Sequence, residues 1–157
     1  MSRGLRAIAL SGLLVASACH QSQQPSSASA PPPVPEADKH LLAELPPAYA
    51  KADLDNGALH FNLCKPCHTI TDGGPNMTGP NLHGLFGRKV ASKAGFAYSD
   101  ALKAKAWTWD ADQLDSWLKN PRAYVPGTKM TFYGIPDNED RRDLIAYLKV
   151  ASSEEQP

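Results

Sequence analysis

Cys64-Lys65-Pro66-Cys67-His68 places two thiols and an imidazole within about one helical turn. Cysteines at this spacing can each add across a porphyrin vinyl group, and the adjacent His68 then lies over the iron as its proximal axial ligand. The pentapeptide therefore reads as a c-type haem attachment site. A structural zinc pair and a thioredoxin-like redox pair also use C-x-x-C. Zinc needs four ligands, and the only other cysteine, Cys19, falls in an N-terminal targeting segment. The redox pair needs an α/β context that is missing here.

Upstream of the motif, from Lys51 onward, Ala52, Leu54, Ala58, Leu59, Phe61 and Leu63 sit among polar residues at spacings that predict an amphipathic helix running into Cys64. Gly57 and Phe61 share one face of it, where a glycine admits a second helix closely. The partner is expected at the far end, where Asp137 can cap a helix carrying Leu144, Ile145, Tyr147 and Leu148. Between them, Asp110 with Gln113 resembles a capping box, Leu114, Trp117 and Leu118 form an apolar stripe, and Pro121 is expected to stop that helix. A short helix is expected over 99–105. No run alternates like a strand, so the domain is expected to be all-α with long loops, spanning 51–150 and followed by a flexible tail over 151–157.

The front of the chain has a different texture. Arg3 and Arg6 precede an apolar run from Ala7 to Ala18, too short to span a bilayer, which needs about 20 apolar residues. Residues 1–18 read as a secretory signal peptide ending at Ala16-Ser17-Ala18-Cys19. Cleavage there also resembles bacterial lipoprotein processing, which would lipidate Cys19, although Ala16 stands where a branched apolar residue is usual. Residues 19–50, with Pro31-Pro32-Pro33-Val34-Pro35, read as a Pro/Ser/Ala-rich linker, a stiff spacer between anchor and domain. The expected location is the periplasm, either membrane-anchored or soluble.

Sixteen basic and sixteen acidic side chains give zero formal charge over 157 residues, so nothing points to nucleic acid. Over 51–150 the thirteen Lys and Arg against eleven Asp and Glu give 13 − 11 = +2.

Three further runs carry a resemblance. They are Thr78-Gly79-Pro80-Asn81-Leu82-His83-Gly84-Leu85-Phe86-Gly87-Arg88-Lys89, Gly95-Phe96-Ala97-Tyr98-Ser99-Asp100, and Asn120-Pro121-Arg122-Ala123-Tyr124-Val125-Pro126-Gly127-Thr128-Lys129-Met130. In this order and spacing, continued by Asp143-Leu144-Ile145-Ala146-Tyr147-Leu148-Lys149, they resemble class I cytochrome c of the mitochondrial and bacterial respiratory branch. The resemblance implies an all-α fold in which the end helices cross around one covalent haem c. It implies thioethers at Cys64 and Cys67, with His68 and Met130 as axial ligands. It implies further that the Pro80 carbonyl orients His68, that Tyr98 and Trp109 hydrogen-bond a haem propionate, and that Arg88 helps neutralise it. A His/Met pair fills both axial positions and favours Fe(II), which suits electron transfer rather than catalysis.

The implied function is one-electron transfer, with no catalytic residue, between membrane respiratory complexes. The donor would be a complex such as cytochrome bc1 and the acceptor a terminal oxidase. An enzyme or gas sensor with a labile Met130 is the reading from a different class, and a detached cytochrome subunit of a larger oxidase or dehydrogenase is a third. Met77 is the rival thioether. Trp117 stands where the family usually has a tyrosine reaching the methionine sulfur, and Leu102 replaces a frequent asparagine. Lys65, Lys93, Arg122 and Lys129 are expected to rim the haem edge.

Overall fold

A computed structural model describes Met1 and residues 36–153. The signal-like run, Cys19, the proline run and residues 154–157 lie outside the described residues. The chain divides into two units, Met1–Ala30 and Pro31–Pro157, and all described secondary structure belongs to the second.

The crossing of the two end helices is built as the residue pattern requires. Helix α2 spans Leu54–Phe61 and helix α6 spans Asn138–Ala151. Each starts on an aspartate. Asp53 accepts hydrogen bonds from the amides of Asp55 and Asn56, and Asp137 from those of Glu139 and Asp140, so orphan amides of both first turns are satisfied. The helices touch at Gly57, where an added Cβ would lie 2.2 Å from the Asp143 carbonyl oxygen and 2.6 Å from the Tyr147 Cβ. Phe61 fills the space beside it, its ring 5.5 Å from that of Tyr147. Buried Asp143 ties the crossing together, accepting from the Asp53 amide at 3.2 Å and the Asn56 side chain at 3.0 Å.

Helix α3 (Asp100–Lys103), within the expected span 99–105, is capped by Ser99. Helix α4 (Ala111–Lys119) buries Leu114, Trp117 and Leu118 as its stripe requires. Asp110 caps it through the Gln113 amide, 2.8 Å away, but the expected capping box is only half formed. The Gln113 side chain instead accepts from the Tyr124 hydroxyl at 2.6 Å. Pro121 ends α4 by starting another helix: it occupies the first turn of α5 (Pro121–Tyr124), where a missing N–H costs nothing, and Asn120 caps it. Among the described residues there is no strand, only one isolated antiparallel bridge between Lys89 and Thr108.

The domain is larger at both ends than 51–150. Residues 36–50, expected to be linker, form helix α1 (Glu36–Ala43) and a 3-10 turn (Pro47–Lys51). Leu41, Leu42 and Tyr49 are buried there. The cause is local: Leu41 and Leu42 on the helix and Tyr49 on the turn after it, in a polar, proline-bearing stretch, are too few to show a period, yet all three are buried. At the other end α6 runs to Ala151, and buried Ser152 accepts a hydrogen bond from the Gly84 amide at 2.6 Å. Residues 151–153 therefore belong to the fold and not to a tail.

Candidate functional site

Behind α2 the chain continues in turns that hold the motif in place. The amides of Cys67 and His68 both donate to the Cys64 carbonyl at 3.0 Å. Both thiols and the imidazole face one cleft of about 1150 Å³, part of it open to solvent. All eight residues assigned to the haem from the sequence line it: Cys64, Cys67, His68, Pro80, Arg88, Tyr98, Trp109 and Met130. The rest of its wall is mostly apolar, including Leu82, Leu85, Leu114 and Leu148.

His68 is locked. Its Nδ1 lies 2.7 Å from the Pro80 carbonyl oxygen. A carbonyl only accepts, so Nδ1 carries the proton and Nε2 keeps its lone pair for a metal. Burial pushes the imidazole pKa down, against the opposing effect of the Pro80 bond, which favours the neutral ligating form. Gly79 makes the arrangement possible: a Cβ there would sit 2.3 Å from the His68 Cε1 and 2.6 Å from its Nε2. Asn81, fully buried, pins the same loop. Its side chain donates to Thr69 Oγ1 at 2.7 Å and to the Thr71 carbonyl at 2.9 Å, and accepts from the His83 amide at 3.0 Å. Neither Gly79 nor Asn81 was singled out from the sequence. Both stood in the run that resembles the family, but only the tertiary contact shows why each is needed.

Met130 reaches the cleft from the turn closed by the Thr128 amide on the Val125 carbonyl at 3.0 Å, with Gly127 at φ 88°. The Thr128 hydroxyl oxygen accepts from the Met130 amide at 3.2 Å. Met77, the rival thioether, does not line the cleft and is 46% exposed.

The polar side of the cleft is only partly spoken for. Arg88 donates from Nη1 to the His83 carbonyl at 2.8 Å and from Nη2 to the Asn81 carbonyl at 3.2 Å. The Tyr98 hydroxyl accepts from the Lys93 amide at 3.3 Å, and burial raises its pKa. The Trp109 indole N–H has no hydrogen-bond partner among the described residues, which leaves a donor on the cleft wall beside Arg88 and Tyr98. Trp117 packs its ring 5.7 Å from that of Trp109 and likewise donates to no described residue. No hydrogen bond runs from Trp117 to the Met130 sulfur, and Leu102 has none to give.

This donor set fits a haem: two thiols, an imidazole and a thioether face one mostly apolar cleft. Among the described residues no group of three or more His, Cys, Asp or Glu is placed to hold a metal ion. Burial, with a smaller contribution from Cys67, pushes the Cys64 thiol up to about 11. Cys64 and Cys67 are both free thiols, beside a broad apolar cleft rather than a sheet edge.

Of the expected rim, Lys65 is tied to the Asn62 side chain at 2.8 Å and Lys129 to the Ala97 carbonyl at 3.1 Å. Apolar Leu63, on the cleft wall, is 58% exposed.

Residues 54–152 match the family model described as Cytochrome c. The chain is 48% identical over 102 residues to a cytochrome c of Stellaria longipes, covering 64% of this chain and 94% of that protein. It is 50% identical over 101 residues to a cytochrome c of Gibberella zeae, covering 64% and 95%. A cytochrome c2 of Rhodoplanes tepidamans is 47% identical over 96 residues, covering 61% and 90%. The chain belongs to the cytochrome c family. It is a monohaem c-type electron carrier with a covalently attached haem, and not an enzyme.

Proposed function

We propose that Cys64 and Cys67 hold the haem by thioethers, that His68 Nε2 and the Met130 sulfur are its axial ligands, and that Trp109, Tyr98 and Arg88 receive a propionate. The observation that carries this reading is His68, fixed by the Pro80 carbonyl with its second nitrogen free toward the cleft on which the other seven residues converge. The bound haem supplies the one-electron Fe(II)/Fe(III) couple. The chain does the rest. The Pro80 carbonyl holds the tautomer and raises the basicity of the imidazole. Arg88 and the indole N–H of Trp109 offset the cost of burying a carboxylate, several kcal/mol when an ion is left unpaired. The Leu and Trp wall excludes water, and the short Thr128–Met130 turn delivers the thioether without a mobile linker.

The electrons pass, in this proposal, from a membrane complex of the cytochrome bc1 type to a terminal oxidase. Residues 1–18 direct export to the periplasm, and acylated Cys19 holds the carrier at the membrane. A tether raises the effective concentration at membrane-bound partners. It thereby supplies what a net charge of +2 over 51–150 does not, since steering grows with charge.

The intact mass of the exported protein tests both parts. The expected species starts at Cys19, carries one haem that survives denaturation, and carries acyl chains at its N-terminus. A mass without haem sinks the assignment of Cys64 and Cys67, whereas haem without acyl groups overturns only the anchor.

A further inference from the structure

Electrons leave a cleft where it meets solvent, and the residues that both line this cleft and stand exposed mark that mouth: Leu63, Thr78, Lys129 and Thr131. All but Lys129 are uncharged, and the Lys129 ammonium is bonded to the Ala97 carbonyl. Lys65, Lys93 and Arg122, expected at the rim, do not line the cleft. Lys65 is tied to Asn62, and Lys93 lines a separate polar pocket with Asp72 and His83. What the chain exposes toward the mouth is apolar. Among the described residues of the domain, the large hydrophobics left exposed are Leu59, Leu63, Met77 and Tyr133, the last at 91%. Leu63 is on the mouth itself, Met77 adjoins Thr78 in the chain, Tyr133 follows Thr131 by two residues, and Leu59 precedes Leu63 by four. Phe132, half-buried on the cleft wall, joins Thr131 to Tyr133. Exposed hydrophobics scattered singly need no explanation, but these fall on, or within four residues of, the lining of one opening.

We propose that the cleft mouth is an apolar docking face for an electron-transfer protein whose own docking surface is uncharged, with Leu63 and Tyr133 as its anchors. Electron transfer between proteins weakens steeply with distance, so a partner that exchanges electrons with a group in this cleft must cover the mouth. That makes the occupant a redox protein. A charged partner surface would lose its water against Leu63, Thr78 and Thr131 without gaining a counter-ion, because Lys129 is already bonded within the chain. An uncharged face loses nothing comparable. Tyr133 also supplies a large contact area at a small cost in conformational entropy, as aromatic anchors of interfaces do. The proposal rests on the reading of the cleft as the haem site.

The test uses the full-length, haem-loaded protein in two ways: as electron donor to a purified terminal oxidase, and in self-exchange between its own ferrous and ferric forms, read from NMR line broadening. Raising the salt from about 0.01 M to about 0.15 M shortens the Debye length from about 30 Å to about 8 Å. Both rates should change by less than about twofold across that range. The double variant Leu63→Ser, Tyr133→Ser should slow both about tenfold, the loss expected for two anchors of a docked face, with the haem spectrum unchanged. Tyr133→Ser alone, at a residue off the cleft wall, should slow both severalfold and serves if the Leu63 substitution disturbs the spectrum. Lys65→Glu and Arg122→Glu should leave both rates within about twofold. A steep salt dependence with slowing by charge reversal, or rates unmoved by the serine substitutions, would overturn the apolar dock. So would a stable dimer that the serine substitutions dissociate while oxidase turnover stays the same, since the patch would then belong to a second copy. If the oxidase accepts no electrons from the unmodified protein, the assignment of that partner fails instead. The dock then stands or falls on self-exchange, which must show the same flat salt response and the same loss in the serine variants.

Discussion

Replacing Gly79 by alanine should destabilise the folded, haem-loaded protein by about 3 kcal/mol, the upper end of what forced overpacking costs. The new methyl group would fall 2.3 to 2.7 Å from three atoms of the His68 ring. The ring cannot swing aside freely, because its Nδ1 is held by the Pro80 carbonyl. The backbone cannot retreat freely either, since the Gly79 amide donates to the Cys67 carbonyl and its own carbonyl accepts from Met77, both at 2.8 Å. Either His68 leaves its hydrogen bond or the loop unpins, and both disturb the proximal ligand. Thermal unfolding together with the visible spectrum checks this. The midpoint should fall steeply and the spectrum should report altered axial ligation, whereas a midpoint and spectrum like those of the unmodified protein would show that the loop relaxes at no cost.

The second large effect lies away from the cleft. Arg141→Ala should cost about 3 kcal/mol, because it strands the buried Ile135 carbonyl and removes a buried donor shared with four partly buried acceptors. Arg141 is 3% exposed and donates to the carbonyls of Ile135, Pro136 and Asp137, to Asn138 Oδ1, and to Asp115 Oδ1 at 2.7 Å. Asp115 is itself 42% exposed, so its share is screened, and most of the loss comes from the buried Ile135 carbonyl. Lysine should not rescue it, since one ammonium cannot reach a fan of acceptors spread over five residues. Arg122→Ala, at an exposed position with no hydrogen bond or ion pair among the described residues, should change stability by no more than about 0.5 kcal/mol. Urea or thermal melts of the three variants separate these outcomes.

These two residues also mark where the sequence is silent. Arg141 stands in Asn138-Glu139-Asp140-Arg141-Arg142, a charge run that reads as a solvated helix start, and nothing in it distinguishes the buried arginine from its neighbour. The distinction arises because the chain from Ile135 to Asp137 turns its carbonyls toward one side of α6. Gly79 is similarly mute, since its need for a missing Cβ comes from a ring eleven residues earlier. By contrast, Cys64, Cys67 and His68 announce themselves, because thioether chemistry fixes both their types and their spacing. The α2–α6 crossing was legible for the same reason: Gly57, Phe61 and the Asp137 cap are local signals of a tertiary contact. The α1 segment was not, because two adjacent leucines on a helix of two turns, with Tyr49 in the separate 3-10 turn that follows, leave no measurable period. Gln113 shows the remaining kind of error, a residue with the right spacing for a capping box that meets a better donor in Tyr124 once the chain folds.

Everything assigned to this cleft turns on both axial positions being filled by the chain's own side chains, so that electrons pass and small ligands do not. The most direct measurement is the absorption spectrum of the purified protein, ferric and then ferrous under carbon monoxide, beside that of Met130→Ala. The ferric protein should show the weak long-wavelength band of a thioether on iron, and its ferrous form should leave carbon monoxide unbound at neutral pH. Met130→Ala should lose the band and bind carbon monoxide. Ready carbon monoxide binding by the unmodified protein, with no long-wavelength band, would contradict Met130 ligation and leave an open iron site suited to gas binding rather than to electron transfer alone.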